Sequence, residues 1–128
     1  MQIDIDISRA EAALSGFRIE RLAPAVRRAV LRMQARMAVY PPQRPGSWYR
    51  RTGTLGRRWT SGQPQVRAGG GSIVGRYGNN TEYAPFVQGD DMQARIHRGR
   101  WQTDEQVARE LAGEIARDFE REIERMFR

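Results

Sequence analysis

The chain has 128 residues, a formal net charge of +7 and no cysteine, which suits one domain spanning residues 1–128. Leu, Ile, Val and Phe make up only 24 of the 128 residues, so a small core is expected. With one histidine, His97, and no apolar run of about 18 residues, the composition argues against a disulfide scaffold, a thiolate or multi-histidine metal site, a thiol nucleophile and a membrane span.

Ile3, Ile5 and Ile7 alternate with Asp4 and Asp6, the period of a half-buried strand at a sheet edge or against another chain. Ser8 and Glu11 form a capping box for a short helix ending near Gly16. From residue 22 to 39, Leu22, Val26, Val30, Met33 and Met37 recur at helical steps, with Pro24 in the first turn and Arg27, Arg28, Arg32 and Arg36 on the remaining surface. Pro41-Pro42 stops this helix. Residues 43–54 read as a loop. Short strands are expected at 55–61, 65–68 and 72–77, separated by Ser61-Gly62 and Gly69-Gly70-Gly71, spacing that implies antiparallel hairpins. Tyr83 to Val87 suggests an aromatic or helical turn, and residues 93–97 a last strand. Thr103 with Gln106 forms a second capping box, strengthened by Asp104 and Glu105. Val107, Leu111, Ile115, Phe119 and Ile123 then predict a helix of about 24 residues. Glu114–Arg117, Asp118–Arg121 and Glu122–Arg125 are spaced to pair along it.

All 22 basic residues are arginine. Residues 1–60 carry a net +8, residues 61–100 a net +2 and residues 101–128 a net −3. A basic front and an acidic tail suit head-to-tail packing of copies as well as nucleic-acid contact. The N-terminus lacks the basic and apolar regions of a signal peptide. No nucleophile–base pair, carboxylate pair or phosphate-binding loop is present in the sequence, and Gly69-Gly70-Gly71-Ser72 reads as a hairpin tip. Asp90-Asp91 reads as a solvated turn. The chain therefore reads as non-enzymatic, with no catalytic residue, metal or cofactor. A small ribonuclease using His97 is the enzymatic rival.

Three segments stand out: residues 49–60, with Arg51-Thr52-Gly53-Thr54-Leu55 and Trp59; residues 77–89, with Gly78-Asn79 and Tyr83-Ala84-Pro85-Phe86-Val87-Gln88-Gly89; and residues 93–103. Gly53 would free a tight turn into a strand at Leu55, and Leu55 and Trp59 would share a face of that strand. Gly78-Asn79 would adopt positive φ at a strand end. Tyr83, Phe86 and Val87 would fold back over the sheet. In this order the segments resemble the small head–tail joining and tail-completion proteins of long-tailed bacteriophages and prophages, whose members typically carry an Arg-Thr-Gly-x-Leu segment, a Gly-Asn…Tyr-Ala segment and a closing helix. The resemblance spans nearly the whole chain. The loop before Arg51, with Pro41, Pro42, Pro45 and Trp48, departs from the simpler run of many relatives.

The expected fold is α+β: an N-terminal strand and helices, an antiparallel sheet of about four strands, and the C-terminal helix packed on the sheet. The resemblance implies a structural virion protein, assembled in the host cytoplasm. Six copies would form a ring at the head–tail junction or top of the tail, joining head connector to tail tube or terminator around the DNA channel. Arg51, Thr52, Gly53, Leu55, Trp59, Gly78, Asn79, Tyr83, Ala84, Pro85, Val87 and Gly89 are the motif and assembly positions. Arg50, Arg57, Arg58, Arg95, Arg98 and Arg100 are candidate contacts to channel DNA or partners. The rival function is a small basic nucleic-acid-binding module using Trp48, Tyr49 and Trp59 among the arginines.

Overall fold

The computed structural model describes residues 1–7, 19–46, 51–69 and 72–126. In chain order it has strand β1 (Gln2–Ile7), a 3₁₀ turn (Ile19–Leu22), helix α1 (Ala23–Met37), helix α2 (Thr54–Thr60), strands β2 (Gln65–Gly69) and β3 (Ser72–Gly78), helix α3 (Ala84–Gln88), a second 3₁₀ turn (Arg95–His97) and helix α4 (Asp104–Met126). The helix expected after Ser8 lies outside the described residues.

The sheet is antiparallel in the order β1-β3-β2. Three strands are described, not four, because two expected strands take other forms. Residues 55–60 fall in α2, with Ser61 just after it, and residues 93–97 end in the second 3₁₀ turn. Leu55 and Trp59 do share a face, but it is a helical one, since a four-residue step fits both periods. β2 and β3 form the expected hairpin, with Gly69 opposite Ser72. β1 occupies an edge. Its pairing extends past Gly78: Asn79 N–H donates to Met1 O at 2.7 Å, and the N-terminal ammonium donates to Asn79 O at 3.0 Å.

Ile3, Ile5 and Ile7 stand opposite Tyr77, Gly75 and Ile73, and this face meets α1. A Cβ on Gly75 would lie 2.6 Å from Val26 Cγ1 and 2.9 Å from Val30 Cγ2, so only glycine admits α1 at this distance. The other face carries Asp4, Asp6 and Arg76, and Arg76 Nε reaches Asp4 at 3.2 Å. α1 buries Ala25, Val26, Ala29, Val30, Met33 and Met37, as its periodicity predicts.

α4 starts with the expected reciprocal capping box. Gln106 N–H donates to Thr103 Oγ1 at 3.2 Å, and Thr103 N–H donates to Gln106 Oε1 at 2.9 Å. Its main partner is α1, along which it runs antiparallel. Val107 and Leu111 join the core of Val30, Met33, Met37, Leu55 and Trp59. Phe119, Ile123 and Met126 pack on a second cluster, Leu22, Val26 and Ile73, which also takes Ile5, Ile7 and Val66 from the sheet. Three of the four arginines on the basic face of α1 meet acids of α4, while Arg27 donates to Gln63 and to Pro64 O. Arg28 pairs with Asp118 (2.9 Å) and Glu122 (2.6 Å), Arg32 with Glu114 (3.6 Å) and Asp118 (3.5 Å), and Arg36 with Glu110. The basic front and acidic tail thus meet within one chain. Asp118 also reaches Arg121 at 3.8 Å and Glu122 reaches Arg125 at 3.2 Å, as spacing predicts, whereas Glu114 turns to Arg32.

Candidate interaction site

α2 is too short to be stable by itself, and neighbouring side chains satisfy its backbone. Gly53, the residue before it, has φ of 78°, a left-handed conformation that favours glycine. The tight turn expected at Gly53 is therefore present, but it opens a helix. Gly56 N–H, in the first turn, donates to the Tyr40 hydroxyl at 2.9 Å. At the other end Gln34 Nε2 donates to Trp59 O at 2.8 Å and Gly62 O at 3.1 Å, answering carbonyls left without helical partners. Asn79 Nδ2 donates to Leu55 O at 3.1 Å, and Thr81 N–H donates to Asn79 Oδ1 at 3.1 Å. Trp59 Nε1 donates to Gln88 Oε1, and Gln88 Nε2 to Met37 O, both at 2.8 Å. Three buried amides, Gln34, Asn79 and Gln88, thereby lock α2 to α1 and α3.

This changes the role of several motif residues. Positive φ among the described residues is confined to Gly46, Gly53 and Gly99, so Gly78 and Asn79 do not supply it. Asn79 acts through its buried side chain, and Gly78 ends β3 in an exposed position. Leu55, Trp59, Ala84 and Val87 are core residues. Pro85 sits in the first turn of α3, where its missing N–H costs nothing. Gly89 follows α3, and a Cβ there would lie 2.6 Å from Pro85 O. Tyr83 and Phe86 do not cover the sheet: they are 42 % and 49 % exposed.

The motif segments meet at a cleft of about 530 Å³. Arg51, Thr52, Gly53 and Leu55 form one side, Tyr83 and Val87 another, and Ile96, His97, Arg100 and Trp101 a third, with Tyr40 and Arg44 completing it. The Arg51 guanidinium lies over the rings of Tyr40 (5.6 Å) and Trp101 (5.4 Å), which meet edge-on at 4.9 Å. Arg51 also donates to Pro41 O, and Arg100 Nη2 donates to Pro42 O at 2.7 Å. The proline-rich loop is thus held by the arginines beside it. His97 meets Trp101 edge-on at 6.3 Å. Burial, helped by Arg100 and Arg44, holds its imidazole below the usual histidine range.

The other candidate arginines do not line this cleft and have no carboxylate partners among the described residues. Arg57 Nη1 donates to Thr52 O at 2.9 Å and Arg58 Nη1 to Asn80 Oδ1 at 3.1 Å, while Arg95 and Arg98 are exposed on the second 3₁₀ turn. Arg50 lies outside the described residues. Tyr40, Arg44 and the buried Gln34 lie outside the three segments that the sequence singled out, and Ile96, Trp101 and Gln88 lie within them but had no role assigned. Gln34 had a signal: it stands four residues after Val30 on the buried stripe of α1.

Among the described residues no group of three or more histidine or acidic side chains is placed to hold a metal ion, and no helix is long and apolar enough to cross a membrane. No family model, curated protein or solved structure matches the chain.

Proposed function

We propose that the chain is a structural subunit of a tailed-bacteriophage virion, forming a ring of about six copies at the head–tail junction or top of the tail, between head connector and tail tube and around the DNA. The observation that carries this reading is the convergence of the three motif segments. Arg51-Thr52-Gly53-x-Leu55, Tyr83–Val87 and Ile96–Trp101 are far apart in sequence yet border one cleft, with exposed apolar side chains and arginines that meet no carboxylate among the described residues. That is the composition of a protein contact surface. Heterologous contacts of one such surface close into a ring when the rotation permits.

The nucleic-acid rival has less support. Arg28, Arg32 and Arg36 of its basic helix face are paired with α4, and Trp59 is fully buried and hydrogen-bonded to Gln88. Trp48 and Tyr49 lie outside the described residues. The ribonuclease rival needs a histidine that cycles its proton, and His97 has no carboxylate partner among the described residues.

Light scattering on the purified 14.7 kDa chain tests the proposal. A species of about six subunits that persists from low to moderate salt is the expected result. A monomer at high protein concentration, combined with DNA binding that weakens steeply between about 50 and 200 mM salt, would overturn it in favour of a nucleic-acid module.

A further inference from the structure

We infer that the cleft is a docking groove for a short extended segment of a partner protein, one that combines carboxylates with large apolar side chains. The inference does not depend on the ring reading.

Two complementary halves face the same space. Leu55, Val87, Tyr83 and Ile96 form an apolar half, and Ile96 is 64 % exposed. Apolar surface continues outward through Phe86 and Met92, the latter 55 % exposed, on the segment joined by the hydrogen bond from Ala94 N–H to Phe86 O at 2.7 Å. Clustered exposed apolar groups with a polar rim mark interaction surfaces. The other half is cationic. Arg44, Arg51 and Arg100 line the cleft, and no carboxylate among the described residues pairs with them. Arg28, Arg32 and Arg36 of α1 are matched by α4, whereas in the cleft three arginines line one space with no carboxylate against them among the described residues. Arg51 and Arg100 are each tethered to a loop carbonyl and keep further N–H donors for a carboxylate. Such tethering lowers the ordering cost of binding.

The occupant is a peptide because of what the walls offer. A nucleotide strand needs free aromatic faces for stacking. Here Arg51 covers the rings of Tyr40 and Trp101 and Trp101 is buried, which leaves Tyr83, 42 % exposed, beside aliphatic Ile96 in place of a row of open aromatic faces. The cleft volume lies within the range of sites that enclose a few side chains.

The test is calorimetric titration of the full chain with the capped peptide acetyl-Asp-Phe-Asp-Leu-Asp-amide, its counterpart with asparagine at each aspartate, and a single-stranded oligothymidylate. The acidic peptide should bind saturably, and the asparagine peptide should bind at least about tenfold more weakly, since charge-assisted hydrogen bonds are lost. Replacing both Arg44→Gln and Arg100→Gln should abolish that preference. Ile96→Ser, at an exposed position, should weaken both peptides by a similar factor. If the arginine double variant fails to fold, the comparison of the two peptides on the unaltered chain and on Ile96→Ser still decides. Absence of saturable binding, equal binding of the two peptides, or displacement of the acidic peptide by oligothymidylate would overturn the inference. None of these results alters the subunit mass that tests the ring.

Discussion

Gly75 is where the sheet and α1 approach most closely. Gly75→Val would drive a side chain into Val26 and Val30. A loss of about 1–3 kcal/mol, from overpacking and backbone shift, is expected in urea denaturation. Two residues with depressed pKa values contribute to the loss of stability in acid. The Asp118 carboxyl is held below the usual carboxylate range, first by its hydrogen bond from Arg28, against the opposing effect of burial. His97 is also depressed, by burial first. In both cases the unfolded chain takes up the proton more readily, so stability is present above the unfolded pKa and is lost as pH falls through the folded one. Thermal denaturation should show decline in two windows. One begins below the ordinary histidine value of 6.5 and should vanish in His97→Gln. The second begins below the ordinary aspartate value of 3.8 and should shrink in Asp118→Asn. Glu105, raised chiefly by a hydrogen bond shared with Asp90, acts in the opposite sense.

At the scale of elements, α4 narrows its hold along its length. Val107 and Leu111 are buried, whereas Ile115, Phe119 and Ile123 are half-buried. Leu111→Ala should therefore cost about 2–4 kcal/mol, and Ile115→Ala less than about 2 kcal/mol, in the same denaturation experiment. Equal costs would show that the stripe is uniformly packed. The elements that were legible in the sequence are those stabilised by their own pattern: α1 and α4 by long apolar stripes, β1 by alternation, the β2–β3 hairpin by its glycine turn. α2 was not legible as a helix. Its ends are satisfied by Tyr40 and Gln34, remote residues that no local pattern reveals, and its glycine and two threonines favour other conformations. The supposed strand at 93–97 failed for a related reason. Gln93 Nε2 donates to the carbonyls of Val87 (2.8 Å) and Trp101 (3.0 Å), fastening a compact loop that a strand could not make. Of the cleft, the motif arginines and Tyr83 were legible as special residues. Their convergence was not, because it depends on where α2 sits.

On the scale of the whole molecule, charge is sorted between an inner ladder and an outer rim. The ladder belongs to folding. A double-mutant cycle on Arg36 and Glu110, both about half exposed, should return less than about 0.5 kcal/mol, whereas Arg28 with Asp118, whose carboxyl is only 10 % exposed, should return about 1 kcal/mol or more. Both coupling energies should fall with added salt, the inner pair less steeply. The rim arginines Arg51 and Arg100 hold the proline-rich loop through its carbonyls and meet no carboxylate among the described residues. The polar outer face of the sheet, with Asp4 bound to Arg76, offers no comparable apolar contact.

The ladder between α1 and α4 has one more property. Its arginines stand at every fourth residue, 28, 32 and 36, and its acids at every fourth residue, 110, 114, 118 and 122. There is one acid more than there are arginines. Sliding α4 by one turn, about 5.4 Å, can leave each arginine opposite a carboxylate. Electrostatics therefore fixes the helices' polarity and azimuth but is nearly indifferent to their register. The choice between the two registers falls to the shape of the core, through Val107 and Leu111.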